Sequence, residues 1–390
     1  MRIASIDILR ALTMLLMIWV NDFWTLVDIP KWLEHASATE DYLGFSDIIF
    51  PLFLFIVGLS IPLAFQNRLD RNESKRKLVS HILIRSFSLL LMGVYMVNLE
   101  TAHGESIYIG KNYWGLLMAT AMVLIWMNWS RSPVPKKWHK VFQATGWVIL
   151  LYLAVIYKGG SDGESWMRTQ WWGILGLIGW AYLFNALVYL FTKGKLKWMF
   201  AFWIFLVGLS VLSFTDYALK DMGYLRMFST LYSGTVPAFT AGGIVATLIF
   251  RQMAKKNLNQ VYLIIAVLGV ISLIFGIMTR PIWGISKIQG TPSWLAICTG
   301  IGFLSFLVLY YIADIKGKVN WAKIIGPAGT ATLTCYLIPY FVYPIRSLTG
   351  IRLPEVLNTS WLGLTGSLVF ALLVVLLTGF FEKKGYKLKL

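Results

Sequence analysis

Three residues near the start of the chain have the types that acyl or proton transfer requires: Asn21, His35 and Asp47. An imidazole exchanges protons near neutral pH better than any other side chain. A side-chain amide can donate to a developing oxyanion. Asp47 precedes Ile48-Ile49-Phe50-Pro51 and so stands at the start of an apolar run. A carboxylate there can cap the helix, orient the histidine or receive an ammonium group. The stretch between Asn21 and Asp47 is acidic, with Asp28, Glu34, Glu40 and Asp41 against Lys31, which favours a cationic acceptor such as an amine. The other histidines differ in setting. His81 and His139 adjoin basic clusters, and His103 lies beside Glu100 and Glu105.

A second group lies further toward the N-terminus. Asp7 and Arg10 are three residues apart and share a helix face. Charged groups inside an apolar segment are costly, so this is either an internal ion pair or an anion-binding arginine. Asn21 is eleven residues beyond Arg10, roughly 16 Å along a helix. A long ligand could therefore place phosphates near Arg10 and its reacting end near Asn21. Late in the chain, Arg280-Pro281 and Lys287 precede Gly290-Thr291-Pro292-Ser293-Trp294. Thr291-Pro292 reads as a helix start, which can serve as a plain cap or face an anion. Tyr336, Tyr340 and Tyr343 fall on one helical stripe, a packing pattern.

The elements that must position these residues are apolar. Of 390 residues, 57% are hydrophobic and 14% charged, well below the one-quarter or so charged in ordinary globular chains. Runs long enough to cross hydrocarbon as helices recur along the chain. Twelve candidate spans follow, roughly 6–27, 46–66, 78–98, 112–128, 141–157, 170–191, 198–213, 233–250, 260–278, 293–313, 327–345 and 358–381. Backbone groups in hydrocarbon must be satisfied within the segment, so the spans are helices. The expected fold is an all-α polytopic membrane protein, a bundle of about 10–12 transmembrane helices forming one domain over 1–390. The first segment has no small-residue cleavage site after it and is expected to be retained.

The net charge of +17 follows from topology. One set of connections and the two termini carry twenty-three Lys and Arg; the alternate set carries ten, including Lys31, Lys220, Arg226, Arg280 and Lys287. By the positive-inside rule both termini face the cytoplasm and the His35 loop faces outward. The charge thus marks the bilayer as partner and excludes nucleic acid. Cys298 and Cys335 lie in apolar spans and offer neither a disulfide framework nor metal-ligand spacing; no metal is expected.

The first sixty residues resemble the heparan-α-glucosaminide N-acetyltransferase family of membrane acyltransferases. The matching text is Ser5-Ile6-Asp7-Ile8-Leu9-Arg10, Val20-Asn21, His35-Ala36-Ser37 and Ser46-Asp47-Ile48-Ile49-Phe50-Pro51, with Phe55, Gly58 and Ser60. The core of the resemblance is residues 3–65. Arg85 and Asn98 suit the family's following span, and Lys287 to Trp294 is similar to a later motif. The resemblance implies transfer of an acetyl group from cytoplasmic acetyl-CoA to a glucosamine-type amine across a bacterial inner membrane, by a homodimer. It implies that His35 is the essential histidine, acting as base or transient acetyl carrier, with Asn21 near the acyl group and Asp47 beside them. Arg10, Asp7, Asn21, Ser60, Arg85 and Lys287 become donor-binding residues. The chain departs from the family at Ala11, where glycine is frequent, and at Gly115-Leu116-Leu117-Met118-Ala119, where a glutamine and an arginine are missing. Two other readings fit the same residues, a twelve-span transporter and an O-acyltransferase of a cell-envelope glycan.

Overall fold

A computed structural model describes residues 3–214, 227–254, 257–352 and 354–390. Arg2, Lys220, Arg226, Lys255 and Lys256, counted above among the flanking basic residues, lie outside the described residues. The described chain is helical, with isolated bridges and no sheet. In order the helices are α1 Ala4–Asn21, α2 Ser46–Leu69, α3 Lys75–Glu100, α4 Lys111–Trp126, α5 Lys136–Val155, α6 Ile174–Phe191 and α7 Leu196–Leu212. There follow α8 Ser229–Tyr232, α9 Thr235–Met253, α10 Leu258–Trp283 and α11 Pro292–Tyr310. The last four are α12 Gly326–Thr330, α13 Thr332–Leu337, α14 Pro339–Thr349 and α15 Ser360–Lys383.

Every apolar stretch anticipated from the sequence is helical, and eight helical segments among the described residues are long and apolar enough to cross a membrane. The protein is a polytopic helical membrane protein. The stretch 327–345 is not one span but three short helices, α12 to α14. The breaks fall at Ala331, whose backbone leaves the helical region, and at Ile338, directly before Pro339, which lacks the N–H that a continuous helix needs.

The chain clusters into two compact units. The first comprises Met1–Thr13, Pro30–Leu90 and Leu177–Trp321; the second comprises Met14–Ile29, Leu91–Gly176 and Ala322–Leu390. In the first unit, α2 and α9 cross with their backbones in close approach. A side chain at Gly58 would overlap the carbonyl of Thr240, and one at Gly243 would overlap the carbonyl of Phe55. Small residues at such crossings replace the hydrophobic drive that hydrocarbon does not supply. Hydroxyls then join the two helices, Thr240 Oγ1 donating to the Leu54 carbonyl at 3.0 Å and Thr247 Oγ1 to that of Leu59 at 2.8 Å. Helix α11 completes the layer, with Phe303 edge-on to Phe55 at 5.1 Å.

In the second unit, Trp114 is fully buried; its indole N–H donates to the Leu153 carbonyl at 3.0 Å and its ring stacks on Tyr95. Asn98 uses both ends of its amide on one residue. Its Nδ2 donates to the Arg168 carbonyl at 2.9 Å, and its Oδ1 accepts from the Arg168 N–H at 3.0 Å. This ties the irregular stretch before α6 to the end of α3.

Candidate active site

The site lies in the first unit, where the loop before α2 meets the connection from α10 to α11. Its anchor is Asp47, whose side chain is 1% exposed. Asp47 does not cap its own helix. Oδ2 accepts from the backbone N–H of Ala36 at 3.0 Å and of Gly44 at 3.3 Å, while Oδ1 faces His35 Nδ1 at 2.7 Å. The carboxylate therefore folds the preceding loop back over the start of α2. Gly44 is required at the fold, because a Cβ there would overlap the Glu34 carbonyl. Ser46 reinforces it by donating to the Leu33 carbonyl.

Pro51 adds a second fastening. It has no N–H, so the Asp47 carbonyl four residues earlier loses its helical partner. The indole N–H of Trp294 donates to that carbonyl at 3.1 Å. Trp294 is placed for this by the start of α11, where the Thr291 hydroxyl accepts from the Trp294 backbone N–H and Pro292 opens the helix. The sequence pattern at Thr291-Pro292 is thus a helix cap, and it delivers a tryptophan to the site.

The α10–α11 connection also brings in Lys287, whose Nζ is 3.1 Å from His35 Nδ1 and 3.8 Å from Asp47 Oδ1. Nothing in the spacing of the chain suggested this contact, which joins residues 252 positions apart. Burial pushes the Lys287 ammonium below the ordinary lysine range, and the Asp47 carboxylate acts in the opposite direction. The outer margin of the loop is held by further pairs. Asp41 accepts from Arg280 Nε at 2.9 Å and from the Ile285 N–H at 2.7 Å, and Gln289 Nε2 donates to the Ala38 carbonyl. Lys31 binds Glu40 at 2.8 Å and holds its carboxyl down to about 2; the bond from Arg280 likewise lowers Asp41. The acidity of the loop is therefore partly neutralised within it and by Arg280.

His35 is 41% exposed while its partner is buried. A carboxylate at 2.7 Å requires a donor, so Nδ1 carries the proton. Nε2 is then the ring nitrogen with a lone pair, available to take a proton or an acyl group. A buried carboxylate orienting a reactive imidazole in this way is a recurring catalytic arrangement.

Among the other expected site residues, Arg10, Asp7 and Ser60 are together. Arg10 Nη2 donates to Ser60 Oγ at 2.6 Å, and Nη1 is 3.3 Å from Asp7 Oδ1. About a quarter of the Arg10 side chain remains exposed. Arg85 sits over the ring of Tyr182, 4.7 Å from its centroid. Lys287, anticipated with the donor-binding residues, stands against His35 and Asp47. Asn21 ends α1 in the second unit and is exposed. Its neighbour Asp22 is 6% exposed and accepts from the Tyr343 hydroxyl at 2.8 Å, an arrangement that sequence reasoning missed because the residues are 321 positions apart.

A helical membrane protein with an imidazole poised on a buried carboxylate has the features of an acyl-transfer catalyst. The chain belongs to the family described as "Acyltransferase domain", which it matches over residues 3–380. A stretch of 101 residues, 25% of the chain, is 37% identical to heparan-alpha-glucosaminide N-acetyltransferase of Mus musculus; the corresponding figure is 36% for that of Homo sapiens. The matched stretch spans 14% of the length of each of these relatives.

Proposed function

We propose that this protein transfers an acetyl group from acetyl-CoA to the amine of a glucosamine-type sugar, with His35 at the reacting centre. The observation that carries the reading is the 2.7 Å contact between His35 Nδ1 and the buried Asp47, which leaves Nε2 as the working atom. As a general base, Nε2 takes a proton from the acceptor nitrogen as that nitrogen attacks the thioester carbonyl. The C–S bond then breaks and CoA leaves as the thiol. As a carrier, Nε2 itself attacks the thioester carbonyl and the C–S bond breaks to expel CoA; the amine then takes the acetyl group as the Nε2–acyl bond breaks, and its proton passes to the freed Nε2. The 36–37% identity to heparan-alpha-glucosaminide N-acetyltransferases over 101 residues supports acetyl transfer to a glucosamine-type amine.

Acetyl-CoA approaches from the lysine-rich cytoplasmic side of a bacterial inner membrane. The exposed part of the Arg10 guanidinium fits a phosphate, although Asp7 offsets some of its charge, so the lysines of the cytoplasmic connections supply the rest. Ser60 and Arg85 extend the donor path. The whole chain acts as one transferase domain, as a homodimer, without a metal.

An O-acyltransferase is the second reading, favoured by a family description that specifies no acceptor. Purified protein incubated with radiolabelled acetyl-CoA and glucosamine distinguishes the two. Label on the sugar nitrogen, lost in His35→Ala, is the expected result. Label on a glycan hydroxyl alone would transfer the assignment to O-acylation, and full activity in His35→Ala would remove His35 from the mechanism.

A further inference from the structure

Lys287 places a cation against the same ring nitrogen that Asp47 engages, and the two contacts make opposite demands. The carboxylate needs a proton on Nδ1, whereas an ammonium at 3.1 Å would donate to a bare Nδ1. The demands are reconciled if His35 Nδ1 donates to Asp47 and the Lys287 ammonium acts on the carboxylate through its charge. The oxygens of a carboxylate offer about four lone-pair sites. Oδ2 takes the N–H groups of Ala36 and Gly44 and Oδ1 takes His35, while the Lys287 ammonium stands 3.8 Å from Oδ1 as an ion-pair partner. The carboxylate thus accepts three hydrogen bonds and has one ammonium beside it.

Charge balance adds the functional consequence. A carboxylate that is 1% exposed needs one cation nearby. Without Lys287, the His35 ring is the neighbouring group that could supply this charge, and it would do so by carrying a proton on Nε2 as well as on Nδ1. With an ammonium in place, a second cation on the ring is disfavoured. The other titratable groups around the ring do not alter this count. Cys298 of α11 is buried within electrostatic reach of Asp47 and Lys287. On the loop itself Lys31 pairs with Glu40, Asp41 pairs with Arg280, and Glu34 is exposed.

We propose that Lys287 is a positioning residue for the acyl transfer proposed above: by serving as the counter-ion of Asp47 it keeps the His35 imidazole uncharged, so that Nε2 enters the reaction without a proton. The inference rests on the assignment of His35, and it concerns the resting charge of the ring rather than contact with substrate. Burial works against the ammonium form of Lys287, and Asp47 works for it.

The test is nitrogen NMR of the full-length protein labelled with ¹⁵N-histidine in detergent. The chain has four histidines, and the signal lost in His35→Gln identifies the one in the site. The wild type at pH 7 is expected to show a neutral ring with the proton on Nδ1. Lys287→Met is expected to show an imidazolium, and Lys287→Arg to resemble the wild type. A neutral ring in Lys287→Met, or an imidazolium in the wild type, overturns the proposal. The kinetic counterpart uses acetyl-CoA and glucosamine. Lys287→Met should lose about tenfold or more in kcat at pH 7 and regain it as the pH rises and the ring loses its proton. A loss of equal size at every pH would reduce Lys287 to a structural tie and overturn its role. Transfer by His35→Gln at the wild-type rate would instead overturn the acyl-transfer assignment, while the NMR result would still decide the charge relation between Lys287 and His35.

Discussion

Asp47 performs four tasks with one side chain and one carbonyl. It bonds two loop amides, orients the imidazole, faces Lys287 and receives the Trp294 indole. Asp47→Asn keeps the size of the group but offers an amide N–H in place of one oxygen. The Asn amide can then donate to His35 Nδ1 and drive the ring proton to Nε2, the wrong tautomer for a base. By analogy with other carboxylate–imidazole pairs, kcat should fall about 10²- to 10⁴-fold with the fold retained. Initial rates of acetyl transfer, beside an unchanged size-exclusion profile, check this; a loss below tenfold would mean that Asp47 serves only to fold the loop.

At the scale of elements, the α2–α9 crossing sets where α2 begins and hence where Asp47 stands. Its distance is limited by glycine. In Gly243→Val the first side-chain carbon overlaps the backbone carbonyl of Phe55, and a helix backbone cannot move aside as a side chain can. Overpacking of this kind costs about 1–3 kcal/mol or more, so the apparent Tm in detergent should drop by several degrees. Gly208→Ala is the matched control. Nothing lies within 4 Å of a Cβ at Gly208 in α7, and alanine is favoured over glycine in a helix by up to about 1 kcal/mol. Its Tm should hold or rise. Equal losses in the two variants would show that helix flexibility, rather than the close crossing, decides stability.

At the scale of the molecule, contacts within the first unit bear on the order of its connections. The His35 loop touches the connection between α10 and α11 through Asp41, Arg280 and Gln289. Arg251 near the end of α9 donates to Gln66 near the end of α2 at 2.8 Å. Asp314, just past α11, accepts from the backbone N–H groups of Ala4 and Ser5 at the start of α1. Each contact joins two segments that the lysine and arginine count assigns to the same side. The orientation itself is a prediction. With Cys298 and Cys335, both buried, replaced by serine, a cysteine at exposed Thr39 should react with an impermeant maleimide from outside intact cells. One at exposed Lys384 should react only in inverted vesicles. Labelling of both from one side would invalidate the proposed topology.

Much of this was legible along the chain because the bilayer imposes a simple code. Length, apolarity and the placement of Lys and Arg determined a polytopic helical protein, since hydrocarbon tolerates little else. The local pair of His35 and Asp47 was visible too, being separated by one loop that a carboxylate can fold back on itself. That Pro51 leaves the Asp47 carbonyl free for the Trp294 indole emerged only with the structure. Tertiary structure alone decided that Trp294 and Lys287 meet Asp47, that Ser60 receives Arg10, and that Tyr343 reaches Asp22. Those contacts join helices far apart in sequence, and the periodicity of an apolar helix says which residues can be buried without saying against what. Helix packing supplies the second half of that information, because glycines and hydroxyls that are silent in a hydropathy profile set which backbones can approach.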